Sequence, residues 1–223
     1  MNRSYLVIKS LYTSEKDKSF LKEDNITSIP PFFGLFFSGS WSPQSSGITK
    51  TIFAFYKSVN QKTLQFEVFF LTSDIDKTSY DNYSKNMPWL LFPYNSLNIS
   101  KLESEFDVCN IPRLIVLSSD GKVIRNNGYK EILNFGVEAL EKWKTQTDKN
   151  KLFEEVKQTG KKVSLHCHEH KLIFCDNEDK CEIKSGWNCN ECGQYFDEKV
   201  KSFYCFECNY DCCEECFLMN IEL

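Results

Sequence analysis

The sequence of 223 residues contains no long apolar run. Its longest, PFFGLFFSG, has the length of a strand, well short of the roughly 18 residues that a membrane-spanning helix needs. The first residues, MNRSYLVIKSLYTSEKD, also lack the apolar stretch and the small-residue cleavage site of a secretory signal. We therefore expect no membrane insertion and a cytoplasmic protein, with a nuclear location or a place in a cytoskeletal or organellar assembly as alternatives.

Cysteine is scarce before residue 167. Cys109 stands alone there, whereas the other ten of the 11 cysteines lie between Cys167 and Cys216. No Cys-x-x-Cys pair precedes residue 189, so the first part of the chain has no dithiol redox motif. The clustering marks a second module. The odd total of 11 cysteines in the chain and the three repeated Cys-x-x-Cys spacings favour metal ligands over a disulfide knot.

Basic residues are in the minority only in the second part of the chain. Residues 1–150 hold 18 Lys+Arg against 16 Asp+Glu, while residues 151–223 hold 9 against 15. The net charge of −4 is thus divided into +2 and −6. An acidic surface repels phosphate groups, which excludes nucleic acid and anionic membranes as expected ligands. We expect protein partners instead, and with several partners the protein would be part of a larger protein complex.

Strand and helix patterns alternate in the first module. PFFGLFF and LQFEVFFL predict two buried strands, and the apolar spacing of Ile48, Ile52 and Phe55 after Pro43 predicts an amphipathic helix. The segments RLIVLS and KVIRN flank Asp120-Gly121, which is typical of a hairpin. YKEILNFGVEALEKWK predicts one closing helix. This order predicts an α/β fold, a mixed central sheet flanked by helices on both faces.

Three segments carry a family resemblance. They are FFSGSWSPQSSGIT at 36–49, MPWLLFP at 87–93 and FDVCNIPRLIVLSSDGKVI at 106–124. Together they resemble the thioredoxin-fold family, within it the nucleoredoxin and tryparedoxin branch. In that family a Cys-Pro-Pro-Cys motif follows the tryptophan, which places its two cysteines at Ser42 and Ser45 here. The family's cis proline corresponds to Pro112.

Replacing both thiols removes the family's reaction. A dithiol enzyme needs a thiolate that attacks a disulfide, and a serine hydroxyl stays protonated at neutral pH and forms no disulfide. We therefore expect a retained scaffold, in which Ser42 and Ser45 cap the following helix. The resemblance also implies a groove that binds extended peptide without reacting. Its expected residues are Trp41, Pro43, Trp89, Ile111 and Pro112.

The second module has the spacings of a zinc-binding domain. Each Cys-x-x-Cys pair presents two thiolates from one turn, and a tetrahedral zinc site takes two such pairs. The three pairs are Cys189 with Cys192, Cys205 with Cys208 and Cys213 with Cys216. One pair is left over and needs two further ligands, which His168 and His170 supply. Eight ligands then predict two zinc ions, with His166, Cys167, Cys175, Cys181 and Cys212 as possible replacements for a ligand.

A second resemblance covers this module. HEHKL, SGWNCNEC and FYCFECNYDCCEECF are similar to the cysteine/histidine-rich modules related to phorbol-ester-binding domains, which plant nucleoredoxins carry after their thioredoxin units. The resemblance implies two cross-braced zinc sites. One would use Cys189, Cys192, Cys213 and Cys216, and the other His168, His170, Cys205 and Cys208.

These patterns predict a thioredoxin-like domain at 1–146, a linker at 147–164 and a small zinc-binding cysteine/histidine-rich domain at 165–223. Our first hypothesis for the function is a redox-inactive pseudoenzyme that acts as a protein-interaction or structural module, as a subunit of a larger assembly. The alternative is a protein-disulfide oxidoreductase or a thiol redox sensor that uses Cys109 or the zinc-site thiols. In the sensor form, oxidation of Cys205 and Cys208 would release metal.

Overall fold

The chain divides into two units between Trp143 and Lys144. The structure is a computed structural model, and it describes residues 29–176, 179–180 and 186–223. Each unit has a sheet and an apolar core of its own. The described Cys-x-x-Cys pairs all lie in the second of these units.

A five-stranded mixed sheet forms the centre of the first unit, in the order β3-β2-β1-β4-β5. β1 pairs in parallel with β2 and antiparallel with β4, β2 pairs in parallel with β3, and β4 and β5 form the predicted hairpin. Because β1 is central and covered on both faces, all 7 of its residues are buried, which explains the continuous apolar run. The strands are β1 (Phe32–Ser38), β2 (Phe66–Thr72), β3 (Leu90–Leu91), β4 (Arg113–Ser118) and β5 (Val123–Arg125).

Helices cover both faces of this sheet. Phe32 and Phe36 of β1 face one side, where Ile52 packs against them, while Phe33 faces the other side with Leu102. The alternation along β1 therefore fills two cores at once. This layout confirms the predicted α/β fold. Its helices are α1 (Ser45–Val59), α2 (Lys77–Ser84), α3 (Leu97–Glu105), α4 (Gly128–Phe135) and α5 (Glu138–Thr159).

The predicted single closing helix is two helices. α4 ends at Phe135, and its C-cap Gly136 has a φ of +54°, a left-handed conformation that glycine adopts readily. α5 begins at Glu138. Leu133 and Val137, on either side of this break, are exposed. Within the described ranges no helix, not even the 22-residue α5, has the apolar length to cross a membrane.

A four-stranded sheet of order β11-β10-β7-β6 and a two-stranded sheet of β8 and β9 form the second unit, and a short helix follows them. Aromatic rings from separate elements fill its core, with Phe203 stacked on Phe217 at 3.5 Å between ring centroids. The elements are β6 (Val163–Leu165), β7 (His168–Cys175), β8 (Gly186–Asn188), β9 (Tyr195–Asp197), β10 (Ser202–Cys205), β11 (Tyr210–Cys212) and α6 (Glu214–Asn220).

The segment 147–164, predicted as a linker, is structured. It contains the second half of α5 and the start of β6, and Phe153, Val156 and Val163 are buried in the core of the second unit. The predicted boundary at residue 165 is therefore wrong. The charged composition suggested a linker, yet these three apolar residues suffice to bury one side of the segment.

Trp143 offers a stability test of the first core. Its ring is fully buried against Phe55 and Phe66 at 5.3 and 5.2 Å between centroids, and its Nε1 donates a hydrogen bond of 2.7 Å to Glu131. Trp143→Ala should lower the free energy of unfolding by about 3–5 kcal/mol. The exposed Trp41→Ala is the control and should cost about 1 kcal/mol or less. Denaturant titration measures both, and equal losses would contradict the assigned core.

Candidate metal centres and binding groove

Ser42 and Ser45 lie where β1 leads into α1. Both side chains are buried, whereas Trp41, which precedes them, and Pro43, which lies between them, are exposed. The helix has Gln44 at its N-cap, and no side chain caps it. The expected capping by the two serine hydroxyls is therefore wrong, since Ser45 turns its hydroxyl toward β1 instead.

A chain of hydroxyl groups fills the position of the family's second thiol. The Oγ atom of Ser38 donates to Oγ of Ser45 at 2.8 Å and lies 3.0 Å from the Tyr83 hydroxyl. That tyrosine hydroxyl in turn lies 2.7 Å from Oγ1 of Thr49. Ser45 is only 1% exposed, so its hydroxyl is both satisfied and shielded. These hydroxyl groups stabilise the junction by hydrogen bonding and supply no thiolate for disulfide exchange.

A cavity of about 240 Å³ opens beside this junction. The Ile111–Pro112 peptide bond is cis, as predicted, and both residues line the cavity. Its lining carries two cationic side chains and no acidic one, and the Oδ1 atom of Asn127 is buried without a hydrogen-bond partner in the described structure. The lining residues are Gln44, Asn110, Ile111, Pro112, Arg113, Asn127, Tyr129 and Lys130.

Trp89 does not belong to this groove, contrary to the prediction. It is 5% exposed and lies edge-on to Phe36 at 6.2 Å and to Tyr56 at 5.8 Å between ring centroids. These contacts make it a core residue beneath α1. Trp41 and Pro43 are exposed but do not line the cavity, so only two of the five predicted groove residues do.

Cys109 is exposed but poorly ionised. Its Sγ atom lies 3.4 Å from Oδ1 of Asp107. The hydrogen bond and the negative charge of that carboxylate raise the pKa of the Cys109 thiol. Because the thiolate is the nucleophile, this environment makes Cys109 a weak one at neutral pH.

Eight cysteine and histidine side chains of the second unit form two groups of four. In each group all ligand atoms lie within 4.8 Å of one another, which makes both groups able to hold a metal ion. The pairs alternate along the chain between the two groups, the cross-braced arrangement that the resemblance implied. The four-cysteine group is Cys189, Cys192, Cys213 and Cys216, and the mixed group is His168, His170, Cys205 and Cys208.

The four-cysteine group joins the turn between β8 and β9 to the start of α6. The Sγ atoms of Cys192 and Cys213 lie 3.9 Å apart. Zinc–sulfur bonds of about 2.3 Å in a tetrahedron place sulfur atoms about 3.8 Å apart. The observed spacing therefore fits one tetrahedral ion.

Cys189 is a thiol of this group with a lowered pKa. Burial raises its pKa, but backbone N–H groups of Cys192, Cys213 and Glu191 outweigh burial and lower the pKa to about 7. The backbone N–H of Cys213 donates a hydrogen bond of 3.3 Å to Sγ of Cys189. A large thiolate fraction at neutral pH suits a metal ligand and also a nucleophile.

The mixed group joins β7 to the turn between β10 and β11. His168 and His170 are two residues apart on β7, so they lie on the same face of the strand. The Nε2 atom of His168 lies 3.3 Å from Sγ of Cys208. Nδ1 of His170 is buried and has no hydrogen-bond partner among the described residues. A buried nitrogen left in this state fits a metal ligand, because coordination satisfies its lone pair.

Two residues that we did not predict shape the cysteine turns. Gly193 follows Cys192 with a φ of +73°, and Asn209 follows Cys208 with a φ of +59°. Their backbone nitrogens donate back to the carbonyls of Cys189 and Cys205 at 2.8 and 3.0 Å. Glycine and asparagine are the residues that adopt this left-handed conformation most readily. A Gly or Asn directly after Cys-x-x-Cys was therefore the available sequence signal.

The proposed replacements for a ligand lie outside both groups, as far as the structure describes them. His166 is exposed and Cys167 is exposed, while Cys175 and Cys212 are buried. Burial raises the pKa of Cys175 to about 11, so that this thiol stays protonated. Cys181 lies outside the described residues.

Comparison with known proteins defines the class of the first unit. Residues 31–123 match the family model described as Thioredoxin-like. The chain therefore contains a thioredoxin-like domain, with the mixed sheet and flanking helices described above. This family model does not extend to the second unit.

Nucleoredoxins are among the proteins to which the chain is similar. The chain is similar to probable nucleoredoxin 1 from Arabidopsis thaliana, with 26% identity over 186 residues, 82% of this chain and 31% of that protein. It is also similar to nucleoredoxin from Mus musculus, with 33% identity over 102 residues, 45% of this chain and 23% of that protein. A tryparedoxin structure from Trypanosoma brucei shows 26% identity and a TM-score of 0.47 over 52% of this chain and 81% of that one.

These matches cover the relatives only in part. The chain spans less than a third of the length of the two nucleoredoxins. The alignment to the Arabidopsis protein is longer than the 143 residues before the division, so it includes part of the second unit. As a class, redoxin relatives favour the oxidoreductase hypothesis over a redox-inactive role.

The environment of Cys109 predicts a test by alkylation. Asp107→Asn removes the charge that raises the Cys109 pKa, so the alkylation rate of Cys109 at neutral pH should rise and its pH profile should move to lower pH. Mass spectrometry of the Cys109 peptide after timed alkylation measures this rate. Asp81→Asn, which breaks an exposed contact of 2.6 Å with Lys77, is the control and should leave the rate unchanged. An unchanged rate in Asp107→Asn would show that the carboxylate does not suppress this thiol.

Proposed function

We propose that the protein binds polypeptide partners through its thioredoxin-like domain, without disulfide exchange at Ser42 and Ser45, and that two zinc ions hold its second unit. The observation that carries the first part is the hydrogen bond between the Ser38 and Ser45 hydroxyls. It commits the residue at the second thiol position to the interior of the fold. The partners would be proteins, and the binding of more than one would form a larger complex. This binding would take place in the cytoplasm or nucleus.

The lining of the cavity supports peptide as the ligand. The amide side chains of Gln44, Asn110 and Asn127 offer both hydrogen-bond donors and acceptors. Oδ1 of Asn127 is a buried acceptor that needs a donor, which a peptide N–H supplies. Arg113 and Lys130 give the cavity a positive charge. An extended segment is the ligand that would satisfy these groups together.

Zinc is the metal that best matches both groups. Thiolates and imidazoles in sets of four are the ligands of structural zinc sites, with no position left open for a substrate. One group supplies four sulfur atoms, and the other supplies two sulfur and two nitrogen atoms. We therefore assign the ions a structural role, since each would join two separate segments of a small unit.

A second candidate function is thiol redox chemistry, the class that the relatives favour. Its support within the chain is Cys189, whose pKa of about 7 gives it a thiolate near neutral pH, with Cys192 as a resolving thiol in the same turn. The raised pKa of Cys109 makes that residue the weaker choice. In this alternative the second unit senses oxidants by losing metal from its thiolates.

A disulfide-reduction assay with dithiothreitol recycling separates the two functions. We expect no turnover by the natural protein and clear turnover by the Ser42→Cys/Ser45→Cys variant, because only the thiols are missing from the thioredoxin-like site. Turnover by the natural protein would contradict our first proposal. Its loss in Cys189→Ser or in Cys109→Ser would then identify the thiol that acts.

Zinc binding is tested with two exposed cysteines. Cys192 belongs to the four-cysteine group and Cys167 belongs to neither group, although both are exposed. We expect two zinc ions per chain in native mass spectra of the natural protein and of Cys167→Ser. Cys192→Ser should retain one ion and release the other to a weak chelator, because it has lost a thiolate ligand. Two tightly held ions in Cys192→Ser, or none in the natural protein, would refute the assignment.

A further inference from the structure

The two ring nitrogens of His170 have different surroundings. Nδ1 is the buried atom without a hydrogen-bond partner among the described residues. Nε2 lies 3.4 Å from Oε2 of Glu207, a residue that none of the sequence patterns singled out. Because Nε2 faces the Glu207 carboxylate, Nδ1 is the nitrogen that stays available to the mixed group.

A neutral imidazole carries its proton on one nitrogen and a free lone pair on the other. A carboxylate beside Nε2 stabilises the form with the proton on Nε2, which leaves the lone pair of Nδ1 for a metal. The 3.4 Å contact is longer than an ordinary N–H···O hydrogen bond of about 2.9 Å. A metal that binds Nδ1 would fix the orientation of the ring and shorten the contact between Nε2 and the Glu207 carboxylate.

We propose that Glu207 is a positioning residue of the mixed group, which holds His170 so that Nδ1 rather than Nε2 coordinates the metal. This inference rests on the proposed zinc sites. Glu207 stands inside the turn that carries Cys205 and Cys208, so one short segment supplies two thiolates and the carboxylate that orients a third ligand.

The other histidine of the group is held in a different way. His168 points Nε2 toward Cys208, and its ring stacks on Tyr210 with centroids 4.0 Å apart and planes 18° apart. The two histidines therefore present different nitrogens, Nε2 from His168 and Nδ1 from His170. A stacked ring is fixed by its neighbour, whereas His170 depends on Glu207 for its orientation.

The chain contains a matched control pair. His166 lies 3.3 Å from Glu222, through Nδ1 and Oε1, and neither residue belongs to a metal group. Glu222→Ala therefore removes a carboxylate from a histidine without touching a proposed ligand. It reports what the loss of a histidine–glutamate contact costs in this unit when no metal is involved.

The experiment uses the full-length zinc-loaded protein, labelled with nitrogen-15 at histidine. Long-range proton–nitrogen correlation spectra should show a metal-bound Nδ1 and a protonated Nε2 for His170, and the reverse for His168. In chelator competition, Glu207→Ala should weaken zinc binding at the mixed group by about 10- to 100-fold, the usual effect of losing such a carboxylate. Glu207→Gln should weaken it less, because the amide oxygen still accepts from Nε2. Binding at the four-cysteine group should stay unchanged in both, and Glu222→Ala should change neither group.

Three results would overturn the inference. They are a metal-bound Nε2 on His170 in the natural protein, equal zinc affinities of Glu207→Ala and the natural protein, and equal losses in Glu207→Ala and Glu222→Ala. Should Glu207→Ala fail to fold, the spectrum of the natural protein and the affinity of Glu207→Gln still decide. Binding of fewer than two zinc ions by the natural protein would refute the proposed zinc sites themselves, a result distinct from all three.

Discussion

The gathering of eight cysteine and histidine side chains into two groups of four is the constraint on which the second unit depends. Each group needs four atoms within a few ångströms, and each draws them from two segments that are separated along the chain by a segment of the other group. A metal ion in each group, as proposed, would fix the strand β7, the two cysteine turns and the start of α6 relative to one another. Cysteines also replace aliphatic side chains in the core, where Cys189, Cys205, Cys213 and Cys216 are all buried. A unit of this size with so few aliphatic residues needs such cross-links to remain folded.

The first unit depends on a different interaction, the burial of β1 between two layers of helices. This burial positions the junction before α1 where a thioredoxin-like domain has its reaction centre, whatever side chains stand there. Ser38, Ser45 and Tyr83 fill the junction with hydroxyl groups. Fold and chemistry are separable in this way, so redoxin relatives establish the frame but not the reaction of this chain. The cavity beside Ile111 and Pro112 is retained, and it supports a binding role.

Strong local patterns made much of this structure predictable. The apolar run of β1, the spacing of Ile48 and Ile52 and the Asp120-Gly121 turn each reflect a single local preference that the fold does not oppose. The structure also assembles the eight ligands into the groups that the resemblance implied.

Other features were unpredictable because they depend on contacts between distant residues. Trp89 is buried because its ring packs edge-on against Phe36 and Tyr56. Both residues are distant in the chain, so the sequence around Trp89 does not indicate these contacts. The left-handed Gly136 divides a pattern that is helical on both sides. Residues 147–164 have the composition of a charged linker. They are structured because Phe153 and Val156 pack in one apolar cluster with Phe203 of β10 and Phe217 of α6. Glu207 shows its role only next to His170.

X-ray absorption at the zinc edge of the full-length protein tests the central claim most directly. Six sulfur and two nitrogen ligands shared by two ions predict an average of three sulfur atoms and one nitrogen atom per zinc. The expected bond lengths are about 2.3 Å to sulfur and about 2.0 Å to nitrogen, with four-coordinate ions. An average of four sulfur atoms, or a substantial share of oxygen ligands, would contradict the proposed pairing of His168 and His170 with Cys205 and Cys208.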